Sequence, residues 1–110
     1  MLISTFVFFI GFLTSVPAMD APIVPYAKPL DEPGRYRSSR TFDDTISYYQ
    51  RVFKKQPGAI RWRNIVNLPG IRAKHIESLR KKTKWEGINI YEYKGVVKFF
   101  VIERKTKSKR

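Results

Sequence analysis

The chain has no cysteine among its 110 residues, which excludes a disulfide framework, a thiolate metal site and a cysteine nucleophile. It has one histidine, His75, so no site can use two imidazoles and no metal is expected. Acidic residues are few: 9 Asp and Glu stand against 22 Lys and Arg, giving a net charge of +13. There is no glycine-rich phosphate loop, no serine in a nucleophile-elbow context and no carboxylate pair at a distinctive spacing. Internal repeats are absent too. What remains is 43% apolar and 15% aromatic, enough to bury a core, and the length allows one small domain.

Charge is also missing from one place. Residues Met1 to Met19 carry no charged side chain, and Leu2 to Leu13 is nearly all apolar. Thr14-Ser15-Val16-Pro17-Ala18 then turns small and polar, with Val16 and Ala18 at the −3 and −1 places of a peptidase site. That order predicts a signal peptide over residues 1–18 and export, periplasmic or secreted. The alternative is a membrane anchor through residues 2–17, which Pro17, Ser4, Thr5 and Gly11 argue against. The whole net charge lies beyond this segment.

Residues 19–40 hold Pro22, Pro25, Pro29 and Pro33, which forbid a helix and predict an extended arm. Ile23, Val24 and Tyr26 are the residues able to pin it to the domain as an edge strand. A folded domain is expected over residues 41–103 and a basic, disordered tail over 104–110. Thr41 with Asp44 three residues on makes an N-terminal capping pattern, and Asp43 and Asp44 precede Lys54 and Lys55 in the sense the helix dipole favours. Phe42, Ile46, Tyr49 and Phe53 form one stripe of helical period, so a helix is predicted from Thr41 to Gln56, stopped by Pro57-Gly58. Ile88 to Tyr93 alternates, Lys94-Gly95 turns, and Val96 to Glu103 is rich in β-branched and aromatic residues: a β-hairpin. Ile60 and Trp62 alternate with Arg61 and Arg63, predicting a strand over Ala59 to Leu68 with a kink near Asn64. The expected fold class is α+β, one amphipathic helix packed on a small antiparallel sheet of three or four strands ending in a β-hairpin. Trp62 and Trp85 are expected to anchor the core or its rim.

The segment after Pro69-Gly70 fits two templates. As a strand it puts Ile71, Ala73 and His75 on one face, and as a helix it groups Ala73, Ile76 and Leu79. Leu68-Pro69-Gly70-Ile71 with Ala73, Ile76 and Leu79 resembles the hairpin of helix-hairpin-helix DNA-binding motifs. The resemblance covers residues 68–79 and implies a backbone grip on phosphate, assisted by basic residues and without sequence reading. It departs at Arg72, where the family carries its second hairpin glycine. It also requires further helices between Ala59 and Lys82.

The cations are uneven along the chain. Arg72, Lys74, Arg80, Lys81, Lys82 and Lys84 crowd the middle, and Arg104, Lys105, Lys107, Lys109 and Arg110 form the tail. The expected function is non-catalytic binding of an anionic envelope partner: lipid, acidic polysaccharide or acidic protein. Arg80, Lys81, Lys82 and Lys84 carry it, supported by Arg61, Arg63 and Tyr91, with no cofactor. Tyr91 and Tyr93 stand on the polar side of the hairpin beside Asn89, where rings serve either stacking or sheet cover. The alternative is a non-specific nucleic-acid binder using residues 68–79 and the tail, and a third class is assembly through a sheet edge. For catalysis the candidates are His75, Glu77, Glu86 and Glu92, and on a strand His75 and Glu77 share one face. A hydrolase of an anionic polymer would use His75 as base with Arg or Lys supporting the oxyanion, but binding without catalysis is the expected reading.

Overall fold

The computed structural model describes residues 20–105. The export segment expected at residues 1–18 and the tail cations Lys107, Lys109 and Arg110 lie outside the described residues. Among those described, the elements run β1 (Lys28–Pro29), β2 (Arg35–Arg37), α1 (Phe42–Lys54), β3 (Ile60–Leu68), β4 (Ile71–Ser78), β5 (Trp85–Tyr93) and β6 (Val96–Glu103). They form one 6-stranded sheet in the order β1-β2-β6-β5-β4-β3, antiparallel throughout. The expected sheet of three or four strands is therefore wrong: the molecule is mostly sheet, with a single short helix. Two things enlarge it. Residues 71–78 are a strand paired on both sides, and the proline-rich arm contributes two short strands alongside β6.

The arm is held by burial and by two phenols. Val24 is 1% exposed in the core. Tyr48 Oη donates to the Ile23 carbonyl at 3.0 Å and Tyr49 Oη to the Pro22 carbonyl at 2.9 Å. Tyr26 has positive φ and points to solvent, so the pinning residue is Val24.

α1 connects β2, near one edge of the sheet, to β3 at the other, so it crosses one face and, among the described residues, leaves the opposite face bare. Thr41 is its N-cap, Oγ1 accepting from the Asp44 amide at 3.1 Å. Phe42, Thr45, Ile46, Tyr49 and Phe53 are its buried stripe. They meet the alternating residues Ile88 and Ile90 of β5 and Val97, Phe99 and Val101 of β6, all buried. An aromatic line runs through this core: Tyr36 stacks on Phe99 at 5.1 Å, Phe99 meets the edge of Tyr49 at 6.0 Å, and Phe53 meets Trp85 at 5.8 Å.

Two irregularities set which side chains face where. The register shifts between Trp85 and Gly87, which brings Trp85 to the helix side with Ile88 although the two are an odd three positions apart. It shifts again between Asn64 and Val66, beside the expected kink, and leaves Ile65 exposed at the edge. The two long hairpins use different turns. Lys94 and Gly95 both have positive φ, as the two-residue turn favoured in hairpins requires, whereas at Pro69-Gly70 only the glycine does.

Candidate anion-binding face

Because side chains alternate along a strand, each core residue has a neighbour on the bare side. Cross-strand registry arranges these neighbours in rows. One row reads Arg63, His75, Asn89, Phe100, Arg35 from β3 to β2. The next reads Val66, Ala73, Tyr91, Lys98, Arg37 and then Lys28 of β1. Arg61, Glu77, Gly87 and Ile102 flank the first, and Leu68, Ile71, Tyr93 and Val96 flank the second. Adjacent strands lie ~4.8 Å apart, so Arg63 and Arg35 stand at the two ends of a track about 19 Å wide.

Apart from Gly87, none of these residues is buried. Lys28, Arg35, Arg37, Arg61, Arg63 and Lys98 share the face with one row carboxylate, Glu77, and with the exposed Glu86, which lines a cleft there beside Arg63, His75 and Glu77. Arg61 Nη2 pairs with Glu77 Oε1 at 2.9 Å and Arg63 Nε with the same oxygen at 3.3 Å. Those hydrogen bonds, led by Arg61, hold the Glu77 carboxyl below the usual carboxylate range. Arg35 lies 4.2 Å over the Phe100 ring and bonds Glu32 at 2.7 Å. Tyr93 is 51% exposed.

His75 sits in the middle of the first row. Its Nδ1 hydrogen-bonds Asn89 Oδ1, an acceptor, so in the neutral ring Nδ1 donates. The ring lies over Gly87, where an added Cβ would stand 2.5 Å from Cε1 and 2.9 Å from Nε2. Glycine at 87 is therefore the space that the imidazole occupies. Of the other acid–base candidates, Glu77 is held by Arg61 and Arg63, and Glu92 by Arg72 Nε at 3.0 Å.

The loop cations Arg80, Lys81, Lys82 and Lys84 are all exposed, on a β4–β5 connection that is held internally. Ser78 Oγ and Thr83 Oγ1 lie 2.8 Å apart, and Arg104 donates to the carbonyls of Thr83 at 3.0 Å and Arg80 at 2.9 Å. Arg104, grouped with the tail on sequence, clamps this loop. The loop leaves the sheet beside the row of Arg61 and Glu77.

The sequence-predicted residues thus divide. Arg61, Arg63 and Tyr91 share the bare face, and the four loop cations stand off its end. Arg72 and Lys74 do not join that loop, since alternation turns them to the helix side. There Arg72 lies 4.6 Å over Phe42 and pairs with Asp43 at 3.1 Å and Glu92. Sequence reasoning missed Lys28, Arg35, Arg37 and Lys98. Its available signal was the alternation Arg35-Tyr36-Arg37, and Lys98 between Val97 and Phe99. The resemblance to a helix-hairpin-helix does not extend to the fold, because residues 60–68 and 71–78 are both strands. Among the described residues no helix is long and apolar enough to cross a membrane, and no group of His, Asp or Glu is placed to hold a metal ion. Comparison of the chain with protein-family profiles, curated proteins and solved structures found no match.

Proposed function

We propose that the protein is an exported, non-catalytic binding protein that holds an extended anionic partner of the cell envelope, an acidic polysaccharide foremost, across its bare sheet face. The observation that carries this reading is the face itself: cations from β1, β2, β3 and β6 against Glu77 and Glu86, with no element of the described residues laid over it. An extended polyanion following the row from Tyr91 through Lys98 to Arg37 and Lys28 meets a tyrosine ring and then successive cations. The sugar rings of a polysaccharide have apolar faces that fit Tyr91 and Tyr93. Arg80, Lys81, Lys82 and Lys84 lengthen the electrostatic footprint beyond the sheet.

The test is titration with a sulfated polysaccharide such as heparin, and separately with anionic vesicles, over a salt series. Affinity for the polysaccharide falls linearly on logarithmic axes as salt rises, as displaced counterions require. A dissociation constant that does not respond to salt overturns the reading.

A second reading has its own observation. Tyr91, Tyr93 and Phe100 present rings on the same face as the cations, the combination that stacks and neutralises single-stranded nucleic acid. It predicts tighter binding to a single-stranded oligonucleotide than to heparin of equal charge, with the excess lost in Tyr91→Ala.

A further inference from the structure

At the corner of the bare face, where β1 and β2 meet the β5–β6 turn, lies a cleft of about 520 Å³. Lys28, Arg37 and Arg40 line it together with residues 38, 39 and 41 and residues 95–97. No carboxylate lines it, and among the described residues none of its three cations is in an ion pair. Elsewhere the arginines of this sheet are matched: Arg35 by Glu32, Arg61 and Arg63 by Glu77, Arg72 by Asp43 and Glu92. Arg40 also lies 5.9 Å over the Tyr48 ring, and three cations lining one cleft without a counter-charge repel one another, which a bound polyvalent anion relieves.

The walls are also fixed. Ser38 is buried, with its Oγ 2.8 Å from Thr45 Oγ1, and it accepts from the Arg40 amide at 3.1 Å. Its own amide donates to the Val97 carbonyl at 2.9 Å, tying the 38–41 loop to β6. Thr41 Oγ1 accepts from the Asp44 amide, so the helix end is already capped from within and the hydroxyl keeps its proton for a ligand. Two guanidinium forks, an ammonium and two hydroxyls are donors only or donors first. They match the terminal oxygens of a phosphate monoester, a dianion, better than a monovalent carboxylate or sulfate ester. The volume exceeds that of phosphate alone and falls within the size range of small-molecule sites, so it takes the ester with part of the group that carries it.

We infer that this cleft is a binding site for a phosphate monoester, carried either on a small soluble molecule or on a lipid headgroup. It shares Lys28 and Arg37 with the proposed polyanion face, whereas Arg40 and Ser39 belong to the cleft alone.

The experiment is calorimetric titration at fixed ionic strength with glycerol 3-phosphate, inorganic phosphate and sulfate, and flotation with vesicles containing phosphatidate. Saturable one-to-one binding of glycerol 3-phosphate, weakened about tenfold in Arg40→Gln, is expected, as removing a charge-assisted donor requires. Heparin binding by Arg40→Gln stays within about twofold of wild type, and Lys98→Gln shows the reverse pattern. Flotation with phosphatidate that is lost in Arg40→Gln, with no response to the soluble ester, supports the site and assigns the phosphate to a lipid. The inference is overturned by equal binding of sulfate and phosphate, by no saturable phosphate binding in either form, or by an Arg40→Gln variant that binds like wild type. Loss of heparin binding with phosphate binding intact overturns the face reading instead.

Discussion

Glu77 governs how cationic the bare face is. Its carboxylate holds Arg61 and Arg63, and they in turn keep it ionised below the usual range. A carboxyl whose folded value is depressed contributes stability above its unfolded value, and that contribution is lost as pH falls through the folded value. Wild type therefore loses stability on acidification through this group, and Glu77→Gln lacks that part of the acid-side decline in Tm. The effect on binding has the opposite sign. Replacing Glu77 by Gln releases two guanidinium groups and adds one positive charge to the face. Polyanion affinity at neutral pH rises, and the slope of log affinity against log salt steepens by about one. Heparin titration of both proteins over a salt series measures it, and an unchanged or shallower slope removes Arg61 and Arg63 from the footprint.

At the scale of elements, what the sequence announced was local. The Thr41 and Asp44 cap, the stripe from Phe42 to Phe53 and the Lys94-Gly95 turn each encode their geometry within a few residues. β1 and β2 do not. Two residues including Pro29 have no strand signal of their own, the alternation Arg35-Tyr36-Arg37 is too short to define a strand alone, and both pair because Val24 and the two phenols dock the arm. The face cations went unseen for the same reason: Arg35, Arg37 and Lys28 join Lys98 only once those strands form. β4 was ambiguous because its apolar residues suit either period, and pairing on both sides decides it. The dependence on the arm is measurable. Burial raises the Tyr49 phenol far above its ordinary value, so it stays neutral and donates to Pro22 at any ordinary pH. Tyr49→Phe leaves that carbonyl without its donor, costing about 1 kcal/mol. For a domain this small that is a fall of about 4–8 °C in Tm. Thermal unfolding checks it, and an unchanged Tm would mean that the arm adds nothing through this bond.

For the whole molecule, the question is which surface is left for a partner. Both sheet edges are poor templates for another strand: β1 has 2 residues and contains Pro29, and β3 carries its register shift and the exposed cations Arg61 and Arg63. Edge-to-edge assembly is thereby opposed, and the bare face and the loop beside it remain. They differ in kind. The loop offers cations alone, whereas the face sets cations beside Tyr91 and Tyr93. Two variants separate them, Arg63→Gln with Lys98→Gln on the face and the fourfold Gln replacement of Arg80, Lys81, Lys82 and Lys84 in the loop. If the loop acts only as a field, its variant flattens the salt slope by about three to four but keeps the change in tyrosine fluorescence at saturation. The face variant flattens the slope by about two and reduces that fluorescence change, because the ligand no longer lies beside Tyr91. A loop variant that abolishes the tyrosine signal at saturation places the ligand on the loop instead, and the sheet face then serves only to carry it.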